Sequence, residues 1–547
     1  MSRPPGTARG LRADGPRPAR PASRRLAVVA AAGLAACGAP DFDVVIAGGT
    51  IYDGSGGEPF VADVGVSDGV IAAVGDLAAA TAFETIDASG LVVAPGFIDA
   101  HSHAELDEPW GHDAVPFLTQ GITTVVLGLD GGGSPDVASV LDGWEANGIG
   151  VNALYFVGHN AVRRRVMGTD ARAPEPDELE EMKALVRRGM EEGAFGLSTG
   201  LFYTPGTFAE TGEVVELAKV AAEWEGAIYD THDRDLGATY QGVGYDASVL
   251  EAIRIAEESG LRGIFSHFNP QGATNYGRAD VGERLIEEAR ARGVEMYAAH
   301  HPYTATQSNL RSYALPRWAS GGDTEAVLAR FAHPDTGTVL RTQIVESLAM
   351  RGGAEKVLVV EEDERLNGRT LAALAGEWGE SVPETVRLVI EEWGNASVMN
   401  LDLYDLENTR YLARMPWMMT CTDGRTPAPG QDVGHPRAAG AFPRKMRLFA
   451  LESDDISVAF AVRSFSGLAA DFFGLSDRGY VEEGRRADVV VLDLDRYRDF
   501  ATMEEPRLLS EGVVHLMVNG RFAIRDERPT GILAGEPLRA RWEHTGG

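Results

Sequence analysis

Cysteine and lysine are the scarce residues of this 547-residue chain. Its 2 cysteines, Cys37 and Cys421, are too few for a disulfide framework or a thiolate zinc cluster. Lysine is confined to Lys183, Lys219, Lys356 and Lys445, so arginine supplies nearly all positive charge. Even so, 50 Lys+Arg face 81 Asp+Glu, a formal net charge of −31. Such a chain gains nothing from counterion release on a polyanion, which excludes non-specific nucleic-acid binding. The apolar run near the N-terminus, Leu26 to Ala36, is too short to span a bilayer. What remains is a globular composition, 44% hydrophobic and 24% charged, with length for one large α/β domain and one or two smaller ones.

The first residues read as an address. Residues 1–25 are rich in Pro, Gly and Arg, with Asp14 as their one acid, and the apolar run then ends at Cys37-Gly38. A basic segment, a short apolar segment and small residues before a cleavage point make a secretory signal. Leu34-Ala35-Ala36-Cys37 resembles a bacterial lipobox, in which the cysteine is acylated and becomes the mature N-terminus, and Arg24-Arg25 resembles a twin-arginine signal. The expectation is an exported cell-envelope lipoprotein with a leader over residues 1–37, touching membrane only through lipid on Cys37. A plain cleaved signal with an incidental cysteine is the alternative.

Between Asp43 and Val74, DVVIAGGTIYDG and ADVGVSDGVIAAVG read as β-hairpins, and the same texture returns in ADVVVLDLD and VVHLMVNGRFAIRD. Each piece is too short to bury its own core, so one β-sandwich built from 41–90 and 466–547 is expected. Residues 91–465 repeat a different unit, a buried apolar run that ends in a polar residue and is followed by a helical stretch. The runs are LVVAPGFIDAHSH, GITTVVLGLDG, NALYFVGHN, GAFGLSTG, GAIYDTHDRD, GIFSHFNP, EMYAAHHPY and WMMTCTDG. Amphipathic stretches such as EPDELEEMKALVRRGMEEG separate most of them. Such an alternation predicts an α/β fold whose parallel strands close into a (β/α)8 TIM-like barrel, with an open doubly wound sheet as the alternative. The stretch between the last two runs is too long for a loop and has helical patterns of its own, so 305–400 is expected to be an inserted subdomain over the barrel mouth.

In a barrel, chemistry sits at the C-terminal ends of the strands. Those ends carry His101 and His103, Asp130, His159, His232, His267, His300 and His301, and Asp423. Residues i and i+2 of a strand point to one side, so His101 and His103 can face one ion. A lone His-x-His is a weak signal; joined by His232, His267 and Asp423 on later strands it becomes a metal-site pattern.

AGGTIYDGSG, APGFIDAHSHAELD, GHNAVRRRVMG, EGAFGLSTGLFYTPG, YDTHDRD, CTDG and HPRAAGAFPR resemble the amidohydrolase superfamily, and within it the N-acyl-D-amino-acid deacylases (D-aminoacylases). DRGYVEEGRRADVVVLDLD and VNGRFAIRDERPTG resemble them too, so the likeness covers nearly all of the mature chain. The resemblance implies zinc, as one or two divalent ions: His101, His103 and Asp423 would hold one position, His232 and His267 the other. Many amidohydrolases bridge two metals with a carboxylated lysine, but no lysine lies near a strand end in 91–303 and the fourth run ends in Ser198-Thr199-Gly200. D-aminoacylases instead use a cysteine after the second strand, where this chain has Gly128-Leu129-Asp130-Gly131. Asp130 is therefore expected as a bridging or terminal ligand, harder and less zinc-selective than a thiolate.

The same resemblance makes Asp423 the proton shuttle and Arg437 the group that binds a substrate carboxylate, a task suited to a planar guanidinium. Asn269 stands where these enzymes carry a lysine, and His301 and Tyr303 occupy their aromatic Tyr-Pro-Tyr stretch, so all three are assigned to substrate binding. Cys421, with no adjacent base, is expected in the core, and His159 as support or core. The function implied is metal-dependent hydrolysis of N-acyl-D-amino acids or related small amides, a small-molecule substrate. A hydantoinase- or dihydroorotase-like cyclic-amide hydrolase, a dipeptidase, and a non-catalytic surface scaffold are the alternatives.

Overall fold

The computed structural model describes residues 39–545 apart from 238, 239, 241, 431 and 432. The leader and Cys37 lie outside the described residues. Among those residues no helix is long and apolar enough to cross a membrane.

Eight parallel strands form the barrel: Phe97–Asp99, Ile122–Leu127, Asn152–Tyr155 continued by Val157–Gly158, Gly196–Gly200, Ile228–His232, Arg262–Phe265, Met296–His300 and Met418–Thr420. They pair in chain order, and the seam closes where Ala100 N donates to Thr420 O at 3.3 Å and Asp423 N to His101 O at 2.8 Å. The helices between strands follow ordinary rules. Pro176–Glu191, for example, starts with Pro at its first position and a capping box between Glu175 and Glu178, and buries Met182, Val186 and Met190 along one face.

The run 91–103 divides between two sheets. Val92–Pro95 joins a nine-stranded sheet shared by both chain ends, in which it lies between Phe42–Ile51 and Val489–Leu492, while Phe97–Asp99 opens the barrel. Gly96 makes the transition, since a Cβ there would lie 2.3 Å from the Thr123 side chain. Alternation then separates two cores: Val93, Val489 and Val491 pack with Val44, Ile46 and Val64, whereas Val92, Ala94, Val490 and Leu492 face the barrel.

The C-terminal segment corrects the expectation that 466–547 belongs wholly to the β unit. The helix Gly467–Phe473 packs Leu468, Phe472 and Phe473 against the barrel-strand residues Val126, Phe156, Ile228 and Met419. Farther on, Gly535 pairs with Ile149, Pro537 with Ala153 and His544 with Trp224, while Trp542 meets Phe195 edge-on at 5.3 Å. Apolar side chains in these pieces find more partners on the barrel than on the sheet, which no local pattern reveals.

Between the seventh and eighth strands, Thr306–Asn309, Ser397–Asn400 and Val357–Val359 form a small antiparallel sheet. Helices such as Pro334–Met350 and Val382–Trp393 cover it around a separate core that includes Leu340, Ile344, Val357, Val386 and Ile390.

Candidate metal centre

Period-two alternation stacks the barrel interior in layers. On the fifth strand Ile228 joins the apolar core, Asp230 follows two residues on, and His232 two beyond that. The eighth strand and the residues that follow it repeat the order with Met419, Cys421 and Asp423. Cys421 is a free, buried cysteine whose pKa is pushed well up by burial, so it stays an inert thiol of the core.

The upper layer gathers six ligand-type side chains. His101 Nε2 and His103 Nε2 are 3.3 Å apart, and His232 Nδ1 and His267 Nε2 are 2.6 Å apart. Asp130 stands between these pairs: Oδ1 lies 3.5 Å from His101 Nε2, 3.6 Å from His232 Nδ1 and 3.7 Å from His267 Nε2, and Oδ2 lies 3.4 Å from His103 Nε2. Asp423 Oδ1 is 3.4 Å from His103 Nε2 and 3.7 Å from His101 Nε2. Three overlapping triplets result, His101–His103–Asp130, Asp130–His232–His267 and His101–His267–Asp423, each with its ligand atoms within 4.8 Å of one another. Asp130 is common to two of them, which is the placement of a bridging carboxylate.

The backbone is strained where these groups meet. Asp130 (φ +53°), His267 (φ +33°) and Asp423 (φ +49°) occupy the left-handed region that side-chain-bearing residues avoid. Such strain persists only where surrounding structure enforces it, and it concentrates at functional sites.

Electrostatics separates the groups. Burial would lower His103, but hydrogen bonds to Asp130 and Asp423 raise it to about 9. Burial takes His101 down to about 3 despite those carboxylates. Burial opposes ionisation of Asp130 and Asp423, yet His101 and His232 around the first, and Arg437 and His267 around the second, hold both well below the usual carboxylate range.

Beneath them lie two carboxylates that the sequence reading missed. Asp99 accepts from Thr422 N at 2.8 Å and Thr422 Oγ1 at 2.5 Å. Asp230 accepts from Ser266 Oγ at 2.9 Å and Ser198 Oγ at 3.0 Å, and its Oδ2 is 4.0 Å from His101 Nδ1. Burial raises both to about 7. The signal was present as Asp-x-His, twice: Asp99 precedes His101, and Asp230 precedes His232, at the same-face spacing.

His103, Asp130, His232, His267 and Asp423 line the floor of a cavity of about 820 Å³, walled by Phe202, Tyr203, Tyr313 and Tyr404 and by residues 306–309 and 360–363 of the inserted subdomain. The Tyr203 ring packs on His232 with centroids 4.5 Å apart.

The Amidohydrolase family pattern matches residues 84–524. The chain is 32% identical to the D-aminoacylase of Alcaligenes xylosoxydans xylosoxydans over 520 residues, 91% of this chain and 97% of that one. The chain belongs to the amidohydrolase family, among its N-acyl-D-amino-acid deacylases. Among the solved structures similar to it are two deacylases. One is the N-acyl-D-glutamate deacylase of Bordetella bronchiseptica complexed with zinc and a phosphonate mimic of the tetrahedral intermediate (30% identity, TM-score 0.76, 91% of this chain and 100% of that one). The other is a D-aminoacylase with a binuclear metal centre, activated by one metal and attenuated by a second (30% identity, TM-score 0.76, the same coverage).

In this amidohydrolase the residues expected to bind substrate separate. Arg437 lines the cavity, and its Nη1 donates to Asp423 Oδ2 and lies 3.2 Å from His301 Nε2. His301 is buried behind it, 3.7 Å from Asp423 Oδ2, and does not line the cavity. Asn269 is turned away: it is buried, and its Nδ2 donates to Thr409 Oγ1 at 2.7 Å, on the helix Leu406–Ala413. Tyr303 also leaves the cavity wall, its ring 5.2 Å from that of His435 and 4.7 Å from the Arg444 guanidinium. Asn269, His301 and Tyr303 thus lie off the cavity wall: the first is captured by a helix far along the chain, the second backs the Arg437–Asp423 pair, and the third packs in an aromatic and cationic cluster. His159 is held apart from the ligand cluster by Glu213, whose Oε1 is 2.9 Å from His159 Nε2.

Proposed function

We propose that the chain hydrolyses the linear amide bond of N-acyl-D-amino acids, releasing a carboxylate and a free amine. The observation that carries this reading is the convergence of four imidazoles and two carboxylates, five of these six side chains lining one cavity, with Arg437 on Asp423.

The residues fit a divalent cation. Asp130 Oδ1 is buried without a hydrogen-bond partner between the two histidine pairs, and the facing nitrogens and oxygens would repel as lone pairs without a cation or protons among them. His101, His103, His232, His267, Asp130 and Asp423 would hold it. Zinc suits this nitrogen and oxygen set, and it accompanies the Bordetella bronchiseptica relative. When bound, such an ion polarises the substrate carbonyl and lowers the pKa of water.

The chain's own residues supply the remainder. Asp423 is ionised at neutral pH and so ready to accept a proton. Arg437 orients the carboxylate through Oδ2 while Oδ1 faces His101 and His103, and this carboxylate takes the proton from water and delivers it to the departing amide nitrogen. Arg437 lines the cavity beside this oxygen and offers a guanidinium to a substrate carboxylate. Phe202, Tyr203, Tyr313 and Tyr404 wall the space for the acyl and amino-acid side chains and limit water around the scissile bond. Asp423→Asn tests the assignment: turnover of N-acetyl-D-amino acids by the zinc-loaded protein should fall by at least ~10³-fold, and unchanged turnover would refute it.

We also propose that the chain is exported and held to a membrane by an acyl group on Cys37. The arginine-rich segment, the short apolar run and the Leu-Ala-Ala-Cys ending support this. Labelled fatty acid should enter the parent protein in cells and not Cys37→Ala; equal labelling would discard the anchor.

A further inference from the structure

Asn160, at the start of the helix His159–Met167, lies between the loop that presents Asp130 and the loop that presents Tyr203. Its Nδ2 donates to Gly200 O at 2.9 Å and Tyr203 O at 3.4 Å, and its Oδ1 accepts from Gly200 N at 3.3 Å. On the other side, Ala161 N donates to Gly131 O at 3.0 Å, next in the chain to Asp130. The packing leaves no slack: a Cβ on Gly131 would sit 2.3 Å from Asn160 Oδ1, and one on Gly200 would sit 2.2 Å from Asp130 O. The amide is itself braced, with His159 Nδ1 at 3.2 Å from Asn160 Oδ1 and His159 Nε2 against Glu213, whose other oxygen pairs with the buried Arg163 at 2.5 Å.

We infer that Asn160 is a positioning residue: its carboxamide holds Gly200 and Tyr203 by hydrogen bonds and packs against Gly131 beside Asp130, so that it governs both cation affinity and substrate fit. The physical reason is the Asp130 backbone. Its left-handed conformation is unfavourable for an aspartate, and the neighbouring Gly128, Gly131, Gly132 and Gly133 would let the loop relax if its contacts were removed. Tyr203 depends on the same amide through its carbonyl, and its ring lies on His232. A carboxylate ligand shifted by a fraction of an ångström binds a cation less well, and a shifted ring changes the cavity wall.

This inference rests on the metal-dependent reading above, and the test separates the two. Asn160→Ala removes both halves of the amide; Asn160→Asp keeps an acceptor and loses the Nδ2 donor. Arg165→Ala, on the same helix but paired at the surface with Asp136, is the control. Each metal-free protein is titrated with zinc against a competing chelator, melted thermally, and then assayed zinc-loaded with an N-acetyl-D-amino acid. Asn160→Ala should raise the zinc Kd roughly 10- to 100-fold, the scale seen for groups that orient metal ligands. It should raise KM as well, Asn160→Asp should do so to a lesser degree, and Arg165→Ala should match the parent. A merely structural asparagine would lower the melting temperature and leave zinc Kd and KM of the folded protein unchanged, which overturns the inference. If Asn160→Ala does not fold, Asn160→Asp decides by the same two readouts. A parent protein that takes up no zinc would instead overturn the metal-dependent reading, and this inference with it.

Discussion

Lys445 carries a pH-dependent penalty that one substitution should remove. It ends the helix Arg437–Lys445, is fully buried, and donates from Nζ to Thr420 Oγ1 at 2.7 Å and Ser464 Oγ at 3.2 Å. Among the described residues no carboxylate forms an ion pair with it, and burial lowers its pKa from 10.5 to about 7. Below about pH 7 both folded and unfolded chains hold the proton and the burial penalty is felt in full. Between about 7 and 10.5 only the unfolded chain holds it, so folding stability climbs with pH. At about 1.36 kcal/mol per pH unit, the penalty at pH 7 is on the order of 5 kcal/mol as a ceiling. Lys445→Met keeps an unbranched apolar stem, and the two hydroxyls it abandons retain each other at 3.0 Å, with Ser464 Oγ also donating to Ala461 O at 3.1 Å. No orphaned group is left behind, so the exchange of a buried unpaired charge for an apolar side chain should stabilise the fold. Urea unfolding of both proteins at pH 7, 8 and 9 measures it. The methionine variant should be the more stable at pH 7, and its advantage should shrink by about 1.4 kcal/mol per pH unit. A difference independent of pH, or a variant less stable at pH 7, would refute the reasoning.

Asp130→Asn keeps the shape and removes the charge that four imidazoles face; zinc retained after dialysis should fall, with affinity down at least ~10-fold, whereas Asp130→Cys should keep zinc as a thiolate. Arg437→Lys substitutes a point charge for the group that touches Asp423 and His301 together. Its KM for N-acetyl-D-amino acids should rise by at least ~10-fold, and by less for the corresponding C-terminal amides, which carry no carboxylate; equal effects on the two would remove Arg437 from carboxylate recognition.

Much of the site was legible because it is built from local rules. A strand places alternate residues on one side, so His101 with His103 and the apolar run before Asp423 announce which side chains look inward. The same rule places Asp99 and Asp230, two residues before His101 and His232, on the inward side as well. Where Asn269 and Tyr303 point is decided by distant contacts instead. Asn269 is assigned from its match to a lysine position of the D-aminoacylases, but Thr409, on a helix 140 residues later, determines where its amide points. Tyr303 was judged by a strand motif, yet Arg444 and His435 draw its ring into a cluster behind the cavity.

By itself the sequence determined the barrel, the kinds of ligand and the exclusion of a lysine bridge, since strand period, residue type at strand ends and the scarcity of lysine need no knowledge of distant contacts. Only the tertiary structure decided that Asp130 stands between the two histidine pairs, that Arg437 spends one nitrogen on Asp423, and that the last helix and tail belong to the barrel. Those outcomes depend on side chains brought together by closure of the barrel from residues tens to hundreds of positions apart. A buried charge or ring takes whichever partner that closure supplies.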